Sequence, residues 1–105
     1  MLPAMELQQA ARRLEALGNA TRLAVYRLLV RAGPEGMAVG VIQQDLAIPG
    51  STLSHHLRRL IEVGLVSQER QGAMLLCRAC YPAMDDLVGF LTAECCLDAT
   101  KSDAA

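Results

Sequence analysis

The stretch Ile48-Pro49-Gly50-Ser51-Thr52-Leu53-Ser54-His55-His56-Leu57-Arg58-Arg59-Leu60-Ile61-Glu62-Val63-Gly64 holds a turn, a helix and a stop in one run. Pro49 fixes its own backbone and Gly50 permits a sharp change of direction, so Ile48 to Gly50 reads as a tight turn. Ser51 or Thr52 is placed to cap the helix that follows, and Gly64 stands where a helix commonly ends with a glycine. At about 100° per residue, Leu53, Leu57, Leu60 and Ile61 gather on one side of that helix. Ser51, Thr52, His55, Arg58 and Arg59 gather on the other, with Ser54 and His56 at the boundary. One face packs; the other offers hydrogen-bond donors and two fixed positive charges.

The elements on either side extend this reading. Val39 to Ala47 has the pattern of a short helix, so two helices meet across the Pro-Gly turn as a helix-turn-helix requires. After Gly64 the period changes from helical to alternating. Leu65 to Arg70 and Ala73 to Ala79 read as strands of a hairpin with Gln71-Gly72 as its turn. Upstream, Leu7, Ala10, Ala11, Leu14 and Leu17 recur at helical spacing and stop near Gly18. Asn19 caps a second helix with Leu23, Tyr26, Leu29 and Val30, which ends by Gly33-Pro34. Pro82 opens a last helix with Met84, Leu87, Val88, Leu91 and Cys95 along one stripe. The predicted fold is mainly α, an α+β winged helix-turn-helix: a three-helix core, a β-hairpin wing and a terminal helix at each end. Both terminal helices carry apolar stripes that a chain of 105 residues cannot cover alone, which predicts a two-fold homodimer.

The polar face from Ser51 to Arg59 suits a DNA major groove. Arg serves guanine or phosphate, Ser and Thr serve either, and His serves a phosphate or a base edge. Ser51, Thr52, Ser54, His55, His56, Arg58 and Arg59 are the candidate DNA contacts, with Arg70 and Gln71 at the hairpin tip for the backbone or minor groove. Such a face alone is more often just solvated. Here the turn, the polar N-terminal half and the following hairpin occur together, which favours the DNA reading. His56 reads equally well as a packing histidine.

Hydrophobic residues make up 52% of the chain and charged residues 20%, which places it among globular proteins. Aromatics are only 3%, so the core is aliphatic. The formal net charge of −1 argues against a strongly basic nucleic-acid binder, though placement of charge matters more than its sum. No apolar run approaches the roughly 18 residues of a membrane span, and Met1 to Leu17 lacks a signal-peptide core. The sequence therefore predicts one cytoplasmic domain over 1–105, with a flexible tail at 97–105. No carboxylate pair or Gly-rich phosphate loop accompanies the histidines, so an enzyme is not expected.

In the cytosol the four cysteines would stay reduced. Cys95 and Cys96 are adjacent, which suits a soft thiophilic ion better than a tetrahedral zinc cage. Cys95 could instead be a core or interface residue on its apolar stripe. Cys77 and Cys80 form a Cys-x-x-Cys that reads as a strand cysteine plus a loop cysteine, or as the source of a third thiol, Cys77 before Cys80. A redox dithiol of the thioredoxin kind needs a βαβ sheet that this chain lacks.

Asn19-Ala20-Thr21-Arg22-Leu23 with Arg27-Leu28-Leu29, and Ser51 to Leu57 with Leu60 and Gly64-Leu65-Val66, resemble the ArsR/SmtB family of metalloregulatory repressors. The resemblance covers about Leu7 to Cys96 and is most specific over Ser54 to Val66. It implies a homodimer built from the terminal helices, operator binding without inducer, and release by a metal or metalloid. Val39 to Leu46 lacks the Cys-x-Cys of the best-known arsenic sensors, and the last helix lacks the zinc sensors' ligands. Cys95-Cys96 resembles instead a subgroup with C-terminal arsenic ligands; where some of its members carry a third cysteine, this chain has Ser102. The resemblance thus implies trivalent arsenic (arsenite or methylarsenite) as inducer, on Cys95 and Cys96; the residues themselves offer Cys77, or alternatively Cys80, as a third ligand. A repressor responding to thiol oxidation or sulfide is the alternative of the same fold, and a small thiol oxidoreductase the alternative of another class.

Overall fold

The computed structural model describes residues 5–99. Its order is α1 (Leu7–Leu17), α2 (Ala20–Ala32), β1 (Met37–Ala38), α3 (Val39–Leu46), α4 (Gly50–Glu62), β2 (Val66–Gln71), β3 (Met74–Ala79) and α5 (Tyr81–Thr92). This is the predicted winged helix-turn-helix with a helix at each end. The wing is a three-stranded antiparallel sheet in the order β1-β3-β2.

Local chemistry accounts for the boundaries. Asn19 Oδ1 accepts the Arg22 N–H at 3.0 Å and caps α2. At the end of α4, Gly64 adopts φ +80, its N–H bonds Ile61 O at 3.0 Å, and the Leu65 N–H bonds Leu60 O at 3.1 Å. That paired pattern is a Schellman motif, which needs a residue comfortable in the left-handed region. It turns the chain directly from α4 into β2.

Four expectations need correction. Pro49, not Ser51 or Thr52, occupies the N-cap of α4, without a side-chain cap. Its extended backbone already starts the helix, so both hydroxyls fall inside the first turn and remain exposed. The hairpin turn is Gly72-Ala73 rather than Gln71-Gly72, because Gln71 pairs with Met74. β1 has no counterpart in the sequence reading; Met37 and Ala38 pair with Cys77 and Leu76 on the far side of β3. Finally, α5 ends at Thr92, and Cys95 and Cys96 lie beyond it in a run of turns.

The core is aliphatic. Val25, Leu29, Ile42, Leu53, Leu60 and Leu65 are fully buried, each contributing about 1.5–3 kcal/mol by leaving water. They join α2, α3, α4 and the base of the wing into one cluster. The terminal helices attach by polar pins as well as packing. Arg13 of α1 is buried, and its Nε donates to Val63 O at 2.9 Å, capping the carbonyl end of α4. The Tyr81 hydroxyl donates to Val30 O at 2.9 Å, tying the start of α5 to the end of α2. Consequently α1 turns Ala10, Arg13 and Ala16 inward and leaves Leu7 and Leu14 exposed. On α5, Ala83 and Leu87 pack inward while Val88 and Leu91 face out.

Candidate nucleic-acid interface and cysteine pair

The inward leucines Leu53, Leu57 and Leu60 fix the rotation of α4, and that rotation puts Ser51, Thr52, Ser54, His55 and Arg58 in solvent. Arg58 has no ion pair among the described residues, so its guanidinium is available to an external anion. A groove of about 330 Å³ runs beside it between α4 and the wing, lined by Ser54, Ile61, Gln68 and Leu75 among others. Arg70 and Gln71 are exposed at the wing tip. Glu69, next to Arg70, is engaged by Arg78 at 2.6 Å, and that hydrogen bond and charge hold its carboxyl below the usual range. Its negative charge is therefore already answered when Arg70 faces a phosphate.

The structure separates two residues from that group. His56 is half-buried, and its Nδ1 is buried without a hydrogen-bond partner. Burial first, then the nearby Arg22 and His55, pull its pKa below the ordinary histidine value, so the imidazole is neutral at neutral pH. His56 is thus partly a packing residue. Arg59 is half-buried as well, and its guanidinium is engaged by Glu15 of α1, with Glu62 at 4.0 Å on its other side. Of the two positive charges counted on this face, Arg59 is paired and Arg58 has no ion pair among the described residues. The sequence reading missed both partners. Glu62 was visible one helical turn from Arg59; Glu15, 44 positions away, could be found only in three dimensions.

The cysteines divide cleanly. Cys95 and Cys96 are exposed with their sulfurs 3.6 Å apart, and Cys96 has φ +61, the left-handed region. Cys77 is fully buried on β3, where Gln68 Nε2 donates to its Sγ at 3.5 Å. Desolvation pushes the Cys77 thiol up, against the thiolate that metal binding needs. Cys80 is half-buried at the N-cap of α5. Among the described residues no group of three His, Cys, Asp or Glu side chains is placed to hold one metal ion. Cys77 and Cys80 therefore do not complete a three-ligand site with the pair within one subunit. Ser102 lies outside the described residues.

A packed α3-turn-α4 unit with an exposed polar helix and an adjoining wing defines a DNA-binding domain. A family model described as "Helix-turn-helix domain" matches residues 17–69. An uncharacterized HTH-type transcriptional regulator of Methanocaldococcus jannaschii is 37% identical over 65 residues, 62% of this chain and 71% of that protein. An ArsR-like transcriptional regulator from Rhodococcus sp. RHA1 shares the fold, with a TM-score of 0.78 over 92% of this chain and 89% of its own at 20% identity. A structure described as a possible transcriptional regulator for arsenical resistance is 26% identical, with a TM-score of 0.68 over 77% of this chain and 81% of its own. The chain belongs to the helix-turn-helix transcriptional regulators and has the fold of their ArsR-like members. The relatives it matches are described as transcriptional regulators rather than enzymes. None of the described helices is long and apolar enough to cross a membrane.

Proposed function

We propose that the protein is a cytoplasmic homodimeric repressor, one domain per chain, that holds double-stranded operator DNA through α4 and the wing and is released by a trivalent arsenical bound to Cys95 and Cys96. The observation that carries the DNA part is the exposed face of α4, which presents Ser51, Thr52, Ser54, His55 and Arg58, the last with no ion pair among the described residues. Such a face brings fixed charge for phosphate and directional donors for base edges. Leu7 and Leu14 on α1, Val88 and Leu91 on α5, and Leu97 beyond it are large apolar side chains left in water. A second copy covering them explains their exposure and sets two α4 helices about one DNA turn apart, for a palindromic operator. Sedimentation at micromolar concentration is expected to give a dimer; a monodisperse monomer that still binds one half-site tightly contradicts it.

The arsenical part rests on the exposed vicinal thiols. Thiolate bonds of about 2.3 Å at angles between roughly 90° and tetrahedral bring two sulfurs to about 3.3–3.8 Å, and Cys95 and Cys96 already stand 3.6 Å apart. The similarity to a structure described as a possible transcriptional regulator for arsenical resistance supports the same inducer class. Because Cys95 and Cys96 lie beyond α5 and outside the helix-turn-helix, release is allosteric: the loaded state fits DNA less well. The exposed pair also favours a second reading, oxidation of the two thiols to a disulfide by an oxidant that accepts two electrons, with loss of both protons.

Arg58→Ala tests the interface. Operator affinity is expected to fall by roughly 1–3 kcal/mol if Arg58 reads a base. If it holds phosphate, the loss is uniform across sequences and the salt slope shrinks by about one. Unchanged binding by fluorescence anisotropy would remove α4 as the reading element.

A further inference from the structure

Arg59 lies on the solvent-facing arc of α4, yet its guanidinium points back to α1. Glu15 takes it in a hydrogen-bonded ion pair, and Glu62 stands 4.0 Å from its other nitrogen. The pairing is mutual: the Arg59 hydrogen bond and charge lower the Glu15 carboxyl, and Glu15 raises Arg59. The α1 backbone that presents Glu15 is fixed independently, because Arg13 is buried and donates to Val63 O at 2.9 Å. Arg58, the preceding residue, has no such partner among the described residues. We infer that Glu15 is a positioning residue for DNA binding: it holds Arg59 on α1 and away from the DNA, limiting α4 to one available cation and so limiting operator affinity.

This inference rests on the reading of α4 as the DNA-binding helix. With Glu15 removed, Arg59 is free to swing onto a phosphate beside Arg58. The pair contributes little to folding, because the Glu15 side chain is 65% exposed and water screens the attraction. Alanine also suits a helix better than glutamate. The substitution therefore reads on DNA binding and leaves stability nearly unchanged.

The test measures binding of the full chain to a random-sequence duplex about three helical turns long over a salt series, with thermal melts of each variant. Glu15→Ala is expected to bind about two- to fivefold more tightly at low salt, the release of one exposed ion pair, with a salt slope steeper by about 0.9. Glu15→Ala/Arg59→Ala, which keeps the net charge, is expected to match the parent in affinity and slope. A double variant as weak as Arg58→Ala would show that Arg59 reaches DNA despite Glu15 and overturn the inference. A Glu15→Ala variant that melts lower and binds more weakly would make the pair a structural strut and overturn it too. Parent and Arg58→Ala proteins that bind the duplex equally poorly would instead remove the DNA reading of α4 on which it stands.

Discussion

Gly36→Ala is expected to destabilise the protein by about 3 kcal/mol or more and to loosen the base of the wing. Gly36 has φ +81, a conformation that costs an alanine about 1–2 kcal/mol by itself. The surroundings add to that cost. A Cβ at this position would lie 2.4 Å from the Cys77 carbonyl oxygen and 2.7 Å from Arg78 Cγ. The carbonyl belongs to β3 and cannot rotate away without breaking the ladder. Gly36 closes the turn after α2, its N–H bonding Gly33 O at 3.0 Å, and delivers Met37 into register with Cys77. The chain must shift at the point where β1 joins the sheet, so about 1–3 kcal/mol of strain adds to the backbone term. Urea denaturation of parent and variant measures the loss. A change below 1 kcal/mol, on the order of an ordinary surface substitution, would show that β1 does not approach β3 so closely. Gly33→Ala is the useful contrast. Its backbone (φ +84, ψ −178) is also one that glycine favours, but no atom lies within 4 Å of its would-be Cβ, so only a backbone term should appear.

Much of this architecture was legible because each element carried a local signal with a physical cause. Asn19, Pro49-Gly50 and Gly64 mark boundaries through capping and turn chemistry that operate within a few residues. The leucines of α4 recur at helical spacing over a long enough run to fix which face is buried. β1 was invisible for the opposite reason. Two residues cannot display a period, and Met37-Ala38 becomes a strand only because Gly36 brings it against β3. The hairpin turn was displaced by one residue because Gly72 can serve either position, and the pairing of Gln71 with Met74 decides between them. On α1 the apolar spacing puts Leu7, Ala10, Ala11, Leu14 and Leu17 on one stripe, but the structure buries Ala10 and leaves Leu7 and Leu14 exposed. The rotation follows Arg13, which is buried on the Ala10 and Ala16 side while its guanidinium caps the end of α4.

The candidate site divides along the same line. The exposed face of α4 follows from periodicity, so Ser51, Thr52, Ser54, His55 and Arg58 could be proposed from sequence alone. Arg59 could not be told from Arg58, because the difference between them is a carboxylate on another helix. Helical spacing continues past Thr92 and puts Cys95 on the apolar stripe, but α5 ends there and the sulfur is exposed, while Cys77 is buried on β3. Burial of Cys77 and exposure of the vicinal pair together shift the proposed inducer site from three thiols to two.

Cys95→Ser/Cys96→Ser is expected to abolish release by arsenicals while leaving operator affinity in their absence unchanged. The pair is exposed and outside every helix and strand, so losing two sulfur atoms costs the core nothing. What is lost is the coupling, about 1–3 kcal/mol, so a roughly 5–150-fold drop in operator affinity on loading should vanish. The two-thiol geometry also orders the ligands. Arsenite bears three hydroxyls that thiols can displace as water, and with two thiols it keeps one exchangeable oxygen. Methylarsenite already has one carbon ligand, so Cys95 and Cys96 displace both its hydroxyls and complete the arsenic coordination. Release should therefore need less methylarsenite than arsenite. Cys77→Ser and Cys80→Ser should each respond as the parent does, since neither sulfur stands with the pair. Operator release titrated by fluorescence anisotropy with methylarsenite, arsenite and peroxide separates the readings. A stronger arsenite response that disappears in Cys77→Ser would establish a three-thiol site. Release by peroxide alone, lost in the double serine variant, would assign the pair to redox sensing. Full arsenical release without Cys95 and Cys96 would remove them as ligands.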